Sequence, residues 1–92
     1  MEEEFNKILL KTFEDAAEKI KKLEQRPSDQ DLLELYGLYK QSIIGNCNTS
    51  KPSFFYVKDR KKWNAWNNLH GKSKNDSMNL YIEKVDTLCK TN

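Results

Sequence analysis

The sequence predicts an all-α domain, a bundle of four helices with a long ordered loop between the second and the third. Three observations predict it. Hydrophobic residues recur at steps of three and four through most of the chain, which places them on one face of a helix. Stretches rich in Pro, Gly, Ser and Asn separate these runs and favour turns and helix ends. Residues 54–57 have strand propensity, but the chain offers no second strand to pair with them.

The first hydrophobic run predicts an amphipathic helix that begins near Phe5. We expect Pro27 to end it, because proline disfavours helical geometry at the preceding residue, Arg26. Charged residues fill much of the remainder, so the opposite face is expected to contact solvent. The apolar positions are Phe5, Ile8, Leu9, Phe13, Ala16, Ala17, Ile20 and Leu23.

A second helix is predicted to begin after Ser28, whose hydroxyl can cap the free backbone amides, and to run to about Ile44. Gly45 follows where a left-handed residue commonly ends a helix. The apolar and aromatic side chains cover a broad arc, so we expect this helix to be central to the packing. They are Leu32, Leu33, Leu35, Tyr36, Leu38, Tyr39 and Ile43.

Residues 45–58 are rich in Asn, Ser, Thr and Pro and are predicted to form the long ordered loop. Near its end, residues 54–57 are expected to lay their aromatic rings over the helices. A shorter third helix is predicted from about Asp59, ending before His70, with Gly71 as a left-handed cap. Trp63 and Trp66 lie three residues apart, so both indoles are expected to face inward.

The fourth helix is predicted to begin after Ser73, which can cap it. Its hydrophobic stripe is as regular as the first and consists of Met78, Tyr81, Ile82, Val85, Leu88 and Cys89. Residues 1–92 therefore form one domain, with a core made from the four stripes.

Size and charge limit the function. The chain has 92 residues and a mass of 10.9 kDa, which suits one small domain without a large buried active site. Charged residues make up 33% of the chain while the net charge is only +2, a balance that argues against general nucleic-acid binding. Residues 2–4 are acidic, unlike a secretory signal, and no apolar run approaches the length of a membrane span. We therefore expect a cytoplasmic protein.

Catalysis and metal binding find little support in the sequence. Cys47 and Cys89 have no neighbours at metal-ligand spacing and are interpreted as idle thiols. His70 is the single histidine, and no Ser/His or Cys/His arrangement or glycine-rich phosphate loop can be assigned. We expect neither an enzyme nor a bound metal or cofactor.

Tyr36, Tyr39 and Lys40 share one side of the second helix, because residues three and four apart are neighbours. An aromatic ring beside a positive charge suits a nucleotide that carries phosphate, since the ring can contact the base and the ammonium the anion. Tyrosines at this spacing also occur as ordinary core or rim residues. A second cluster, basic residues 60–62 followed by two tryptophans, and Tyr81 beyond it favour the binding interpretation.

Four segments, in order and at matching spacing, closely resemble the acyl-CoA-binding protein family. The resemblance covers about residues 13–90. The segments are 36–49 (YGLYKQSIIGNCNT), 62–67 (KWNAWN), 71–74 (GKSK) and 78–82 (MNLYI). The resemblance implies a four-helix bundle that binds long-chain fatty acyl-CoA esters with high affinity. It also implies an intracellular carrier and pool former that performs no catalysis.

The resemblance implies which residues bind this ligand. For the adenosine 3′-phosphate part they are Tyr36, Lys40, Lys62 and Tyr81, with Tyr39 and Lys21 as further contacts and Trp63 bordering the ligand. A groove is expected for the acyl chain, because transfer of each methylene out of water is favourable by about 0.8 kcal/mol. Candidates for this groove are Phe13, Ala16, Ala17, Ile20 and Leu33, for each of which ordinary bundle packing is the alternative.

The sequence departs from the family pattern in the loop and at the start of the third helix. Asn46 stands where an acidic residue is usual, Ser53 where glycine is usual, and Asp59 and Arg60 replace glycine and lysine. These differences concern loop conformation and rim contacts.

We expect a monomer without a nucleic-acid partner and without stable membrane insertion. The alternative is a small helical module that binds protein or nucleic acid through residues 60–63.

Overall fold

The computed structural model describes residues 2–91 and contains four α-helices. They are α1 (Glu2–Ile20), α2 (Asp29–Ile43), α3 (Val57–Asn67) and α4 (Lys74–Thr91). Residues 44–56 form the long loop between α2 and α3, and no strand occurs in the described part of the chain. The predicted all-α fold is therefore confirmed. Among the same residues, no helix is long and apolar enough to cross a membrane.

The helices pack in the order α1, α4, α2, α3, which differs from their order in the chain. α4 contacts both α1 and α2, and α3 contacts α2. Over residues 2–91, no Cα atom of α1 comes within 8 Å of a Cα atom of α2. α1 is therefore attached to the bundle mainly through α4. The core cluster consists of Phe13, Ala16, Leu35, Leu38, Tyr81 and Val85.

Several helix ends lie where the sequence predicts them. The Ser28 hydroxyl accepts a hydrogen bond at 3.1 Å from the backbone N–H three residues along, at the start of α2. Ser73 does the same at 3.0 Å before α4. Gly45 and Gly71, which follow α2 and α3, have φ angles of 96° and 90°. Glycine adopts this left-handed conformation without the steric cost that a Cβ atom brings.

The bounds of α1 and α3 differ from the prediction, and α1 begins at Glu2, three residues before the expected start near Phe5. α1 ends at Ile20, in a turn where the Lys21 N–H donates to the Glu18 carbonyl at 3.2 Å. Such bonds between residues three apart tighten the last turn of a helix. Pro27 therefore lies in a segment that has already left the helix and does not end it. α3 begins at Val57, two residues earlier than expected.

Both indoles tie the 44–56 loop to α3. Trp66 Nε1 donates to the Gly45 carbonyl at 2.8 Å, and Trp63 Nε1 donates to the Thr49 carbonyl at 2.9 Å. Trp66 is buried, whereas Trp63 is half-buried. The expectation that both indoles face inward is therefore wrong for Trp63. Three residues fall short of one helical turn by about 60°, which turns Trp63 toward the surface.

The aromatic residues at the end of the loop do not lie over the helices, contrary to the expectation. Phe54, Phe55, Tyr56 and Val57 are 67%, 78%, 63% and 57% exposed. The three aromatic residues belong to a turn in which the Tyr56 N–H donates to the Ser53 carbonyl at 3.0 Å, and Val57 is the first residue of α3. The interior of the bundle is filled instead by aliphatic and aromatic side chains of the helices themselves.

A charged cluster links α2 to α4. Lys84 Nζ lies 2.7 Å from Asp31 Oδ1 and 3.0 Å from Glu34 Oε2, and about a quarter of the Lys84 and Asp31 side chains is exposed. The hydrogen bond from Lys84 lowers the pKa of Asp31. Hydrogen bonds to Asp31 and Glu34 raise the pKa of Lys84. Because Asp31 and Lys84 both favour their charged forms more in the folded chain than in the unfolded chain, this ion pair stabilises the fold at neutral pH.

Gly37→Ala is expected to destabilise the protein although alanine has the higher helix propensity. A Cβ atom at position 37 would lie 2.6 Å from the backbone oxygen of Ala65, so α2 and α3 would have to separate. We expect the free energy of unfolding, measured by urea denaturation, to fall by about 1–3 kcal/mol. Asn79→Ala, at an exposed position of α4, is the control and should be nearly neutral. A Gly37→Ala variant as stable as the unmodified protein would contradict this close approach.

Lys84→Met removes the charge while keeping most of the side-chain length, and it should lower the melting temperature by a few degrees at pH 7. The folded pKa of Asp31 lies below its ordinary value of 3.8. Its stabilising contribution is therefore present above pH 3.8 and is lost as the pH falls through the lower folded value. The difference in melting temperature between variant and parent should shrink from pH 7 to pH 2.

The matched control for this pH series is Lys90→Met, in the last turn of α4. Its melting temperature should follow that of the parent protein at every pH. A Lys84→Met difference of equal size at pH 7 and pH 2 would show that lost packing, rather than the lost ion pair, destabilises the variant.

Candidate functional site

The gap between α1 and α2 forms a trough with a volume of about 700 Å³. It follows from the packing order, since α4 contacts both helices while their backbones stay apart. Its apolar and aromatic lining consists of Phe13, Ala17, Ile20, Leu32, Leu35, Tyr36, Tyr39, Ile43 and Tyr81. Charged residues of α1 and of the turn after it complete the lining: Lys11, Glu14, Asp15, Glu18 and Lys21.

Three aromatic rings meet in the trough. Phe13 stacks on Tyr39 with ring centroids 5.4 Å apart and meets Tyr81 edge to face at 5.0 Å. Phe13 and Tyr81 are buried, whereas Tyr39 is 41% exposed. Burial, and to a smaller extent the neighbouring Tyr39, raises the pKa of Tyr81. The Tyr81 phenol is therefore protonated at neutral pH and is able to donate a hydrogen bond.

The predicted groove residues divide between the trough and other parts of the fold. Phe13, Ala17 and Ile20 line the trough. Ala16 lies in the buried core cluster. Leu33 lines two other concavities, both of which also include residues of α3. The structure thus brings three of the five candidates together.

The sequence does not predict the α2 wall of the trough, which includes Leu32, Leu35 and Ile43. Their spacing on the helix is also that of an ordinary packing stripe. Leu35 is indeed buried, but Ile43 remains 45% exposed. The available signal was the breadth of the apolar arc on α2, which exceeds the stripe that a surface helix usually buries.

A second hollow, the cationic concavity, lies where α2 meets α3 and has a volume of about 470 Å³. Asp29 also lines it, and a hydrogen bond from Arg26 at 2.8 Å lowers the pKa of this carboxyl group. Of its cations, Lys62 is a predicted site residue. The sequence does not predict Arg26 and Lys58 as site residues, because these distant positions come together only when the chain folds. The cations of the lining are Arg26, Lys58, Lys61 and Lys62.

A third hollow, the tryptophan concavity, has a volume of about 250 Å³ and is lined by Tyr36, Pro52, Asp59, Lys62, Trp63 and Trp66. Lys62 Nζ lies 5.5 Å from the centroid of the Tyr36 ring, and Lys40 Nζ lies 5.2 Å from that of Trp66. Both cations therefore sit over aromatic rings, within the range of cation–π attraction. Four predicted residues, Tyr36, Lys40, Lys62 and Trp63, are thus brought into one region.

Tyr36 lines all three hollows. It therefore joins the apolar trough on one side to the lysines on the other. A molecule lying across Tyr36 would meet anion-binding side chains at one end and an apolar surface at the other. This arrangement suits an amphiphile with a phosphorylated aromatic head and a hydrocarbon chain.

The other predicted contacts lie on the trough side of Tyr36. Tyr39 and Tyr81 line the trough, and Lys21 lies at its edge with Nζ 3.2 Å from Glu18 Oε1. The structure therefore separates these three residues from Lys62. Within residues 2–91, no group of three or more His, Cys, Asp or Glu side chains is arranged to hold a metal ion.

Comparison with known families and structures gives a consistent result. A family model described as acyl CoA binding protein matches residues 10–85. An acyl-CoA-binding protein of Brassica napus is 51% identical over 80 residues, which cover 87% of this chain and 87% of that protein. One from Gossypium hirsutum is 49% identical over 87% of this chain and 90% of that protein.

The fold is also similar to solved structures. The crystal structure of Oryza sativa acyl-CoA-binding protein 2 superposes with a TM-score of 0.90 at 45% sequence identity, over 94% of both chains. The solution structure of the yeast acyl-coenzyme A binding protein gives a TM-score of 0.69 at 47% identity, over 86% of this chain and 92% of that one.

Proposed function

The chain belongs to the acyl-CoA-binding protein family, and from this premise we propose that it binds long-chain fatty acyl-CoA esters with high affinity. The family binds and carries its ligand without catalysis. The position of Tyr36 is the main support for the assignment of the ligand site. Tyr36 borders both the apolar trough and the cationic concavity, so a single ligand can occupy the two together.

The nucleotide end of the ligand binds on the α3 side of Tyr36. Coenzyme A presents an adenine ring, a ribose 3′-phosphate and a pyrophosphate, and it therefore carries several negative charges at neutral pH. Lys40 and Lys62 come from different helices and both lie in this region. A hydrogen bond to a charged group contributes about 1.5–3 kcal/mol, and stacking of a base on an aromatic ring about 1–3 kcal/mol. Tyr36 and Trp63 are the rings that border this space.

The acyl chain lies in the trough. Each methylene removed from water contributes about 0.8 kcal/mol, so a long chain outweighs any single contact with the head group. Phe13 and Ala17 on α1 face Leu32 and Ile43 on α2 across the trough, and the small side chain of Ala17 leaves space for a hydrocarbon. Ala16 and Leu33, which lie outside the trough lining, remain predicted groove residues.

The remaining predicted contacts line the trough. Tyr39 and Tyr81 are able to donate phenol hydrogen bonds to phosphate oxygens of the same ligand. Lys21 offers a further cation at the edge, although its present ion pair with Glu18 is exposed and therefore weak.

Binding without reaction makes the protein a carrier and a reservoir for a ligand that water dissolves poorly. We place this activity in the cytoplasm and assign it to a monomer of one domain, residues 1–92, that binds no nucleic acid. The near balance of charges, with a net charge of +2, supports the last point because general nucleic-acid binders carry a stronger basic excess.

Lys40→Ala and Lys62→Ala should each weaken palmitoyl-CoA binding about 10–100-fold, the range that corresponds to one lost charged hydrogen bond. Isothermal titration calorimetry measures the affinity, and circular dichroism should show unchanged helicity. Lys22→Ala, an exposed lysine outside all three hollows, is the matched control and should bind like the parent protein. Full affinity in both Lys40→Ala and Lys62→Ala would refute the phosphate assignment.

Affinity should rise with acyl chain length, because each added methylene that enters the trough contributes about 0.8 kcal/mol. A titration series from free coenzyme A through short esters to palmitoyl-CoA measures this slope. Equal affinity for coenzyme A and palmitoyl-CoA would show that the trough does not bind the chain. Displacement of bound acyl-CoA by an oligonucleotide would favour the alternative, a nucleic-acid module.

A further inference from the structure

The aromatic patch, residues 54–57, is an exposed apolar surface where the loop joins α3. More than half of each of its four side chains contacts water, and Phe55 reaches 78%. Phe54 and Phe55 stack on each other with ring centroids 4.4 Å apart. The proposed ligand site uses none of these four side chains. Contiguous apolar groups in water are unfavourable, and such patches mark sites of interaction.

The aromatic patch is presented by an ordered turn. The Ser53 carbonyl accepts a hydrogen bond from the Tyr56 N–H at 3.0 Å, and the Ser53 hydroxyl accepts one from the Phe55 N–H at 3.4 Å. Upstream, the bond from Trp63 Nε1 to the Thr49 carbonyl fixes the loop to α3. The rings are therefore held outward before any partner arrives, which reduces the entropy lost on binding.

The sequence on both sides of the aromatic patch is rich in positive charge. Residues 51–62 contain five cations and one carboxylate, a net charge of +4, whereas the whole chain carries +2. The rest of the chain is therefore net −2, and the excess positive charge of the protein lies in the segment that contains these rings. The cations are Lys51, Lys58, Arg60, Lys61 and Lys62.

We propose that the aromatic patch docks the protein reversibly onto the surface of an anionic lipid bilayer. Aromatic rings are favoured at the boundary between head groups and acyl chains, and neighbouring lysines and arginines are attracted to anionic lipids. Stacking of nucleic-acid bases is a poorer match, because Phe54 and Phe55 already cover one face of each other. Docking of this kind is peripheral and requires no spanning segment.

Docking would bring the ligand site close to the bilayer. Pro52 and Asp59, which flank the aromatic patch two residues away on either side, both line the tryptophan concavity. This consequence rests on the proposed function: an acyl-CoA ester, itself an amphiphile, would pass between the bilayer and the trough over a short distance. The docking itself does not depend on the identity of the ligand.

The test is sedimentation of the full chain with vesicles of phosphatidylcholine alone and with one third phosphatidylserine. We expect binding to the anionic vesicles only, and release at about 0.5 M NaCl, where the Debye length is well below 10 Å. The double variant Phe54→Ser/Phe55→Ser should bind at least about tenfold more weakly, since two rings no longer enter the interface. Phe55→Ser alone should give an intermediate loss.

The control is Phe5→Ser, which removes a ring that is 60% exposed on α1 next to the acidic residues 2–4. It should bind anionic vesicles like the parent protein. Palmitoyl-CoA affinity in solution and helicity should be unchanged in all variants, which separates this proposal from the proposed function. The proposal is overturned if the parent protein does not sediment with anionic vesicles, or if the double variant sediments as well as the parent. Either outcome would leave a protein partner as the better match for the patch.

Discussion

The ring contacts among Phe13, Tyr39 and Tyr81 set the geometry on which the proposed site depends. They join α1, α2 and α4 through side chains while the backbones of α1 and α2 stay apart. If α1 packed directly on α2, the apolar walls would close on each other and no trough would remain. Because α4 contacts both helices, it carries the core packing that a direct contact between α1 and α2 would otherwise provide.

On its other side, α2 packs closely against a neighbouring helix, α3. Gly37 allows the backbone of α3 to approach so closely that even a methyl group would collide with Ala65. This close approach brings Lys62 over the Tyr36 ring and Lys40 over Trp66. One helix therefore borders an open apolar trough on one side and a tightly packed, positively charged contact on the other. The two ends of an amphiphilic ligand need these two environments.

The two halves of the loop between α2 and α3 differ: the first is hydrogen-bonded to α3, and the second exposes aromatic side chains to water. Trp63 and Trp66 hold its first half through hydrogen bonds to backbone carbonyls. Its second half leaves three aromatic side chains more than half exposed, in a stretch of sequence, residues 51–62, with a net charge of +4. The bundle gains little packing from these rings, and their exposure to water is unfavourable unless another surface covers them.

The sequence by itself determined the four helices, the serine caps, the left-handed glycines and the family, because each depends on local spacing or on short motifs. It also identified Tyr36, Lys40, Lys62 and Trp63, which the structure brings together. Only the tertiary structure decided that Ala17 lines the trough while Ala16 lies in the core, since adjacent helical residues differ by about 100° in direction. Only the tertiary structure shows that residues of α2 form one wall of the trough and that Arg26 lines the cationic concavity. The exposure of residues 54–57 likewise depends on which helices become neighbours. That choice is made by contacts between residues far apart in the chain, which periodicity along one helix does not encode.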